Sequence, residues 1–238
     1  MLLENLKHPE IKAYLEHKKS IIVPFGSTEQ HGPHLPISTD TILAACIAEE
    51  AGRRTETMVA PVMPVGFSPG LHTLFPGTLT LGAQTYISLV LDIFESIVSS
   101  GFRDILVLTG HGMNQAPLKT AMLEFLNKHD GRGWVMGYWE AEEVAALTEK
   151  GDGVHCTILE TSLMLYLRPK LVEMEKGVDE YRHARFMLGR EEVGQVSASG
   201  IIAETMKSTS EKGKLIFEAA VEGIVRRVKM FDEGILFE

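Results

Sequence analysis

DILVLTGHG, residues 104–112, is the stretch of sequence that decides the fold. Its consecutive apolar residues predict a strand that is buried on both faces, and Gly110 and Gly112 predict a turn around His111. Just before it, residues 83–99 carry apolar side chains at the spacing of one helix face. A helix that leads directly into a buried strand is typical of a parallel sheet covered by helices.

The alternation of strands and helices continues on both sides of this unit. The predicted strands lie at about 21–25, 57–62 and 134–138, and the predicted helices at about 40–52, 114–126, 157–166 and 215–230. Ser38 or Asp40 is suited to cap the helix that ends near Gly52, and Asn114 is suited to cap the next. We expect a mainly parallel central sheet with helices on both faces. Residues 173–210 are polar and irregular, and their sequence predicts no particular structure.

Composition limits the class of protein. The chain has 238 residues, of which 45% are apolar and 23% charged, so we expect a single domain over residues 1–238. The 32 acidic residues outnumber the 23 basic ones, and this net charge of −9 argues against nucleic acid as a partner. No apolar run approaches the roughly 20 residues of a membrane span, and the N-terminus lacks the features of a signal peptide. We expect a cytoplasmic protein without a membrane partner and, with only Cys46 and Cys156, without a disulfide framework.

Candidate ligand side chains follow two of the predicted strands. Glu29, His31, His34 and Asp40 come after the first strand, and His111 follows the strand of the opening motif. Because loops at the carboxyl ends of parallel strands meet at one edge of the sheet, we expect these side chains to converge. Imidazole nitrogens with carboxylate oxygens suit Zn²⁺, Mn²⁺ or Fe²⁺. The sequence therefore predicts a metal site at this edge.

Several of these residues also have simpler interpretations, which the sequence leaves open. Asp40 is suited to serve only as a helix cap, and Glu160 completes a capping box with Thr157. His111 fits as a turn residue between two glycines, and His34 as a loop residue that donates a hydrogen bond. The concentration of two histidines and a glutamate in one short loop favours the metal site.

Together these motifs resemble those of one enzyme family. Residues 26–36, GSTEQHGPHLP, followed by Thr39 and Asp40, are similar to the signature of the creatininase (creatinine amidohydrolase) family. The similarity continues at FPGT 75–78, TGHGMN 109–114, His155 with ETS 160–162, and EKG 211–213. The resemblance implies a three-layer α/β/α fold, two divalent metal ions (Zn, Mn or Fe), and hydrolysis of a C–N bond in a small cyclic or linear amide. It also implies a homo-oligomer, commonly a hexamer of three dimers.

The resemblance also implies a set of metal ligands. Glu29, His31, Asp40 and His111 match ligands of the family, with Asp40 bridging the two ions. Glu160 matches the later glutamate of a family motif and is the fifth ligand in this assignment. The resemblance thus implies a dinuclear centre built from nitrogen and oxygen donors.

Other residues are expected to act on the substrate. His155 is the candidate catalytic residue that protonates the leaving nitrogen, and its alternative role is to orient a metal ligand. The long loop 64–80, stiffened by proline and glycine, is expected to form a wall of the substrate pocket. His34, His72 and Met113 are the candidate substrate-binding residues, with His72 either close to the metal ions or contributed to a neighbouring subunit.

Two departures from the family pattern bear on the substrate. Met113 stands where creatininase proper has an acidic ligand, and Ile158 stands where the pattern has a glutamate. We therefore expect poor hydrolysis of creatinine and a preference for another amide or a formamide. Alternatives within the family are a peptidase and a ring-opening hydrolase of an oxidised cyclitol. Outside it, the rivals are an enzyme with Cys156 as a nucleophile activated by His155 or another histidine, and a non-catalytic ligand-binding or metal-sensing module.

Overall fold

A parallel sheet forms the centre of the molecule. The computed structural model describes residues 1–148, 152–182 and 184–236. The strands of the sheet are β1 Ser20–Phe25, β2 Met58–Val59, β3 Asp104–Thr109 and β4 Arg132–Gly137. They lie side by side in the order β2-β1-β3-β4, and each neighbouring pair is parallel, as expected for strands joined through helices.

Helices cover both faces of this sheet. The helices of the described residues are α1 His8–His17, α2 Thr39–Thr55, α3 Ala83–Ser99, α4 Gln115–Leu126, α5 Glu142–Ala145, α6 Ile158–Leu167, α7 Arg190–Val193 and α8 Ser210–Glu233. Helices α1, α3 and α4 pack on one face, and α2, α6 and α8 pack on the other. A short antiparallel pair, β5 Asp179–Glu180 and β6 Ala203–Glu204, lies apart from the sheet. The expected α/β/α fold is confirmed, and none of the helices described is long and apolar enough to cross a membrane.

Successive side chains of the central strands point into two different cores. Ile21 of β1 and Ile105 of β3 join the core under α3 and α4. Ile22 and Leu106, one residue further along each strand, join the core under α2 and α8. Because both faces of these strands are buried, their sequences are continuously apolar rather than alternating.

Two predicted boundaries are wrong, for packing reasons. Helix α2 does not end at Gly52 but continues past it, and a Cβ at Gly52 would lie only 2.4 Å from Val59 Cγ2. This glycine therefore allows the helix to pack closely on β2. Strand β2 is much shorter than the predicted strand 57–62, because Pro61 has no N–H group to donate to a neighbouring strand.

Asn114 joins loops instead of capping helix α4. Its Oδ1 accepts a hydrogen bond from the backbone N–H of Phe67 at 2.8 Å, and its Nδ2 donates to the carbonyl of Gly26 at 2.9 Å. No side-chain capping bond is made by this residue. Asn114 thus ties loop 64–80 to the ends of β1 and β3, beside the predicted metal site.

Helix α3 spans the predicted residues 83–99. Its buried side chains are Tyr86, Val90, Phe94 and Ile97, which recur at helical spacing. The hydroxyl of Tyr86 is buried and has no hydrogen-bond partner in the described ranges, and burial raises its pKa above the ordinary value.

Candidate metal centre

The carboxyl ends of β1 and β3 lie side by side, since Phe25 pairs with Thr109. A Cβ at Gly110 would lie 2.1 Å from the backbone oxygen of Asp40, so only glycine lets β3 end this close to the start of α2. The loops that follow the two strands therefore converge. All five predicted ligands are buried in one cluster, namely Glu29, His31, Asp40, His111 and Glu160.

Asp40 lies between two histidines. Its Oδ1 is 3.1 Å from His31 Nε2, and its Oδ2 is 3.3 Å from His111 Nδ1. The N-cap of α2 is Ser38, and Asp40 lies within the first turn of the helix. The interpretation of Asp40 as a helix cap is therefore wrong, and both of its oxygens face the cluster.

Glu29 lies among three histidine nitrogens, one of which, His111 Nδ1, also faces Asp40. Glu29 Oε1 is 3.2 Å from His111 Nδ1 and 3.6 Å from both His72 Nδ1 and His155 Nδ1. Two groups of three residues each bring their ligand atoms close enough to hold an ion. One group is Glu29 with His31 and Asp40, and the other is Glu29 with His72 and His155. The same chain supplies His72, so a neighbouring subunit is not needed to bring it to the cluster.

Glu160 serves the helix and the cluster at once. Its Oε2 accepts hydrogen bonds from the backbone N–H of Thr157 at 2.7 Å and from Thr157 Oγ1 at 3.1 Å. Its own N–H donates to Thr157 Oγ1 at 3.0 Å, which completes the predicted capping box of α6. The other oxygen, Oε1, lies 3.8 Å from His31 Nε2. The two interpretations of Glu160 are therefore compatible.

Several buried polar atoms of the cluster lack a hydrogen-bond partner within the described part of the chain. They are Glu29 Oε1, His31 Nε2, both carboxylate oxygens of Asp40, and His72 Nδ1. An unsatisfied buried group costs about 1–3 kcal/mol, so five in one place call for a ligand. Neighbouring donor atoms are 3.1–3.8 Å apart, as expected for ligands of an ion bound at about 2.0–2.2 Å. These nitrogen and oxygen donors fit Zn²⁺ or Mn²⁺.

The electrostatics of the cluster favour a cation. Burial alone would lower the pKa of His111, but Glu29 and Asp40 raise it to about 10. Burial would likewise lower the pKa of His31, but Asp40 raises it well above its usual value. Burial would raise the pKa of Glu29, yet His111 holds it well below the usual range. Positive charge, whether a proton or a metal ion, is therefore stabilised between these groups.

His155 is held beside the cluster by Gln30. Its Nε2 lies 2.9 Å from the backbone oxygen of Gln30 and 3.0 Å from Gln30 Nε2, whereas its Nδ1 faces Glu29. Gln30 Nε2 also donates to the carbonyl of Gly200 at 3.0 Å. Burial, reinforced by His31, lowers the pKa of His155 well below its usual value, so the ring is neutral at neutral pH. Sequence reasoning missed Gln30, although it stands between Glu29 and His31 in the motif.

A cavity of about 610 Å³ opens beside the cluster. Residues that line it include Gly112, Tyr138, Trp139, Thr157, Leu159 and Glu160. Glu160 belongs both to this lining and to the cluster, so the cavity and the candidate metal centre share this residue. Loop 64–80 contributes no lining residue to this cavity, and its role as a wall of the substrate pocket stays a prediction.

The three predicted substrate-binding residues do not line this cavity. His34 is buried with its Nε2 3.2 Å from Thr161 Oγ1, and burial lowers its pKa to about 4. His72 lies in the cluster against Glu29. Met113 is 41% exposed.

A three-layer α/β/α protein with buried histidines and carboxylates at the carboxyl edge of its parallel sheet belongs to the class of metal-binding α/β proteins. Residues 4–228 match the creatininase family, described as creatinine amidohydrolase, and the chain belongs to this family. The resemblance carried by the sequence motifs is thereby confirmed.

Known relatives cover almost the whole chain. The mycofactocin precursor peptide peptidase of Mycobacterium tuberculosis is 32% identical over 225 residues, which are 88% of this chain and 84% of that protein. The creatinine amidohydrolase of Pseudomonas putida is 26% identical over 229 residues, 88% of each chain. A solved structure described as creatininase Mn superposes with a TM-score of 0.90 at 25% identity, covering 97% of this chain and 98% of that one. These similarities support an enzyme of the hydrolase class.

Proposed function

We propose that this protein hydrolyses a C–N bond of a small cyclic or linear amide or formamide with the help of two divalent metal ions. The observation that carries the proposal is the placement of Asp40, which presents one oxygen to His31 and the other to His111. A carboxylate between two separate nitrogen ligands is placed to bridge two ions. The named activities of two relatives, an amidohydrolase and a peptidase, both break C–N bonds.

Besides the two groups that share Glu29, the distances from Asp40 define two sets of donor atoms that share this carboxylate, and we assign the two ions to these sets. Glu29 Oε1, Asp40 Oδ2 and His111 Nδ1 would hold one ion, at what we call the Glu29 site. His31 Nε2, Asp40 Oδ1 and Glu160 Oε1 would hold the other, at the His31 site. Both sets combine nitrogen and oxygen donors, as Mn²⁺ and Zn²⁺ prefer, and one solved relative is a manganese form.

His155 is the residue placed to move a proton. Two ions held by these residues would supply a water molecule that is nucleophilic at neutral pH and would polarise the amide carbonyl. The leaving nitrogen must still be protonated. Because Gln30 occupies Nε2 of His155, Nδ1 is the atom that exchanges protons, and it faces Glu29 at 3.6 Å. A neutral His155 would accept on Nδ1 the proton that the attacking water loses and would then donate it to the leaving nitrogen, so it would act first as a base and then as an acid.

The cavity favours a substrate larger than a small lactam. Its volume of about 610 Å³ is in the range that holds drug-sized ligands, and Trp139, Val154 and Leu159 give it apolar walls. This observation, with the 32% identity to a precursor peptide peptidase, supports a second candidate function, cleavage of a peptide bond. In both cases the scissile amide would lie next to Glu160, where the cavity meets the cluster.

The rival mechanism with a cysteine nucleophile has little support. Cys156 is fully buried, and burial raises the pKa of its thiol well above the usual value. A reactive cysteine needs an accessible thiolate, which this environment disfavours. The surroundings of Cys156 therefore favour the metal-dependent mechanism.

We further infer that residues 1–238 work as a single domain, since both cores flank one sheet. The cluster combines Glu29, in the loop after β1, with Glu160 of helix α6. It therefore forms only when these distant segments fold together around the sheet. Assembly into a homo-oligomer, implied by the sequence resemblance, belongs to the same proposal, and sedimentation of the purified protein tests it.

The proposed function is tested by metal analysis followed by a substrate screen. The purified protein is analysed for bound metals, stripped with a chelator, and assayed with Mn²⁺ or Zn²⁺ restored. The panel contains lactams, formamides, linear amides and short peptides. We expect loss of activity on chelation, recovery with the ions, and resistance to thiol alkylation. Metal binding without cleavage of any member would instead indicate a binding or sensing module, and loss on alkylation alone that persists in Cys46→Ala would indicate Cys156 as the nucleophile.

Creatinine serves as a critical member of this panel. Met113 and Ile158 replace two acidic residues of the family pattern, and apolar side chains cannot accept hydrogen bonds from a guanidine-like ring. We expect kcat/KM for creatinine below about 10⁴ M⁻¹ s⁻¹, the lower end of the usual enzymatic range. A higher value with either ion would show that creatinine is a true substrate.

A further inference from the structure

Two buried hydroxyl groups lie behind the candidate metal centre. Ser27, just after β1, and Ser68, in loop 64–80, are both 0% exposed, and their Oγ atoms are 2.6 Å apart. Ser27 Oγ lies 3.1 Å from Glu29 Oε2, and Ser68 Oγ lies 3.2 Å from His111 Nε2. The two serines thus connect two proposed metal ligands through the ligand atoms that do not face the ions.

The hydrogen bonds along this connection run in one direction. His111 Nε2 also lies 3.1 Å from the backbone carbonyl oxygen of Phe67, which can only accept, so Nε2 carries a proton and donates. At the other end, the carboxylate of Glu29 accepts from the hydroxyl of Ser27. The two remaining contacts then require Ser68 to donate to Ser27 and to accept from His111.

This direction determines which atoms the ligands present to an ion. With one proton held on Nε2, Nδ1 faces Glu29 and Asp40 and is the nitrogen whose proton a bound ion would displace. With Oε2 bound by Ser27, Glu29 turns Oε1 toward the cluster, where that oxygen has no hydrogen-bond partner in the described part of the chain. Groups that orient metal ligands in this way are as much part of a site as the ligands themselves.

We propose that Ser27 and Ser68 are positioning residues that act in series, as a chain of donors from His111 to Glu29 that orients one of the two metal sites. The inference rests on the proposed function, because it concerns the ion at the Glu29 site. The ion at the His31 site is held by His31 and Glu160, which take no part in this series of hydrogen bonds. Loss of either serine should therefore weaken one ion selectively.

The experiment measures metal affinity in three full-length variants. Ser27→Ala and Ser68→Ala each interrupt the chain. Ser20→Ala is the matched control, because Ser20 is a buried serine at the other end of β1 whose Oγ donates to Asp232 at 3.1 Å. Chelator-stripped protein is titrated with Zn²⁺ in competition with a chromophoric chelator, and with Co²⁺ while its visible spectrum is recorded.

We expect the wild type and Ser20→Ala to bind two ions with the same affinities. Ser27→Ala and Ser68→Ala should each bind one ion roughly 10- to 100-fold more weakly and leave the other unchanged. The Co²⁺ spectrum should change for the weakened ion only, and the intact second ion reports that the variant is folded. If one serine variant fails to fold, the other tests the inference alone.

The double variant Ser27→Ala/Ser68→Ala tests the serial arrangement. Once one link is removed, the second removal should have no further effect, so the double variant should match the weaker single variant. If the losses of metal affinity in the two single variants multiply in the double variant, the serines act independently, and the serial arrangement is overturned. Equal weakening of both ions, or the same loss in Ser20→Ala, would overturn the positioning role. If the wild type binds no ion, the proposed function itself is overturned. If the wild type binds two ions and the serine variants bind both with unchanged affinity, only this inference is overturned.

Discussion

Replacement of Glu160 by glutamine separates the two roles of this side chain. Glutamine retains an oxygen that accepts from the backbone N–H of Thr157, as Oε2 does at 2.7 Å, so the capping box of α6 is kept. It removes the negative charge on the side of Oε1, which lies 3.8 Å from His31 Nε2. Thr157→Ala has the opposite effect, since it deletes the cap hydroxyl and keeps the carboxylate.

The expected magnitudes differ for the two variants. Loss of an N-cap hydroxyl costs about 0.5–2 kcal/mol of unfolding free energy, so Thr157→Ala should be destabilised by this amount without metal. Glu160→Gln should remain close to the wild type in the same assay. Removal of one partner from a buried charged set costs about 3–5 kcal/mol. At 1.4 kcal/mol per factor of ten, this lowers the affinity for one ion roughly 100- to 4,000-fold.

The assay combines urea unfolding of the metal-free proteins with competitive Zn²⁺ titration of both variants. We expect Glu160→Gln to lose affinity for one ion with little change in stability, and Thr157→Ala to lose stability with a much smaller change in affinity. Unchanged metal affinity and turnover in Glu160→Gln would refute the ligand role and leave Glu160 as a helix cap.

Three further predictions concern single side chains. Asp40→Ala should remove one or both ions and nearly all activity, and full metal content with normal turnover would contradict its bridging role. Burial opposes ionisation of Glu180, but hydrogen bonds from Ser199 and neighbouring backbone hold its pKa at about 2. Because this folded-state pKa lies below the ordinary 4.5, its stabilisation is present above pH 4.5 and is lost as pH falls toward 2. In urea unfolding, the unfolding free energy of Glu180→Gln should therefore fall less steeply than that of the wild type between pH 4.5 and pH 2. The same pH dependence in both proteins would contradict this role of Glu180. Tyr86→Phe removes a buried hydroxyl without a partner in the described ranges, so it should match the wild type or gain about 1 kcal/mol of unfolding free energy. Destabilisation of that variant in urea would show that the hydroxyl does have a partner.

Local patterns in the sequence were sufficient to predict most of the sheet and its helices. The runs at 21–25 and 104–109 are strands because they are apolar on both faces, and residues 83–99 form one helix because their apolar side chains recur at helical spacing. The loops after β1 and β3 could be predicted to converge, since parallel strands end at one edge. These features depend on neighbours in the chain and on one general rule of topology.

Packing between distant segments decided the remainder. The sequence could not show that Gly52 allows α2 to lie against Val59, or that Asn114 holds a loop instead of a helix end. The cavity likewise combines Gly112, Thr157 and Glu160 of the sequence motifs with Tyr138, Trp139 and Val154, which no motif singled out.

The chemistry of the candidate site divides in the same way. The sequence by itself supplied the types of ligand, since imidazole and carboxylate groups stand at fixed positions in the motifs. Only the tertiary structure decided which atoms meet, with Asp40 between two histidines, His72 against Glu29, and Ser68 behind His111. A side chain's hydrogen-bond partner depends on contacts of a few ångströms between segments far apart in the chain, and no local periodicity encodes those distances.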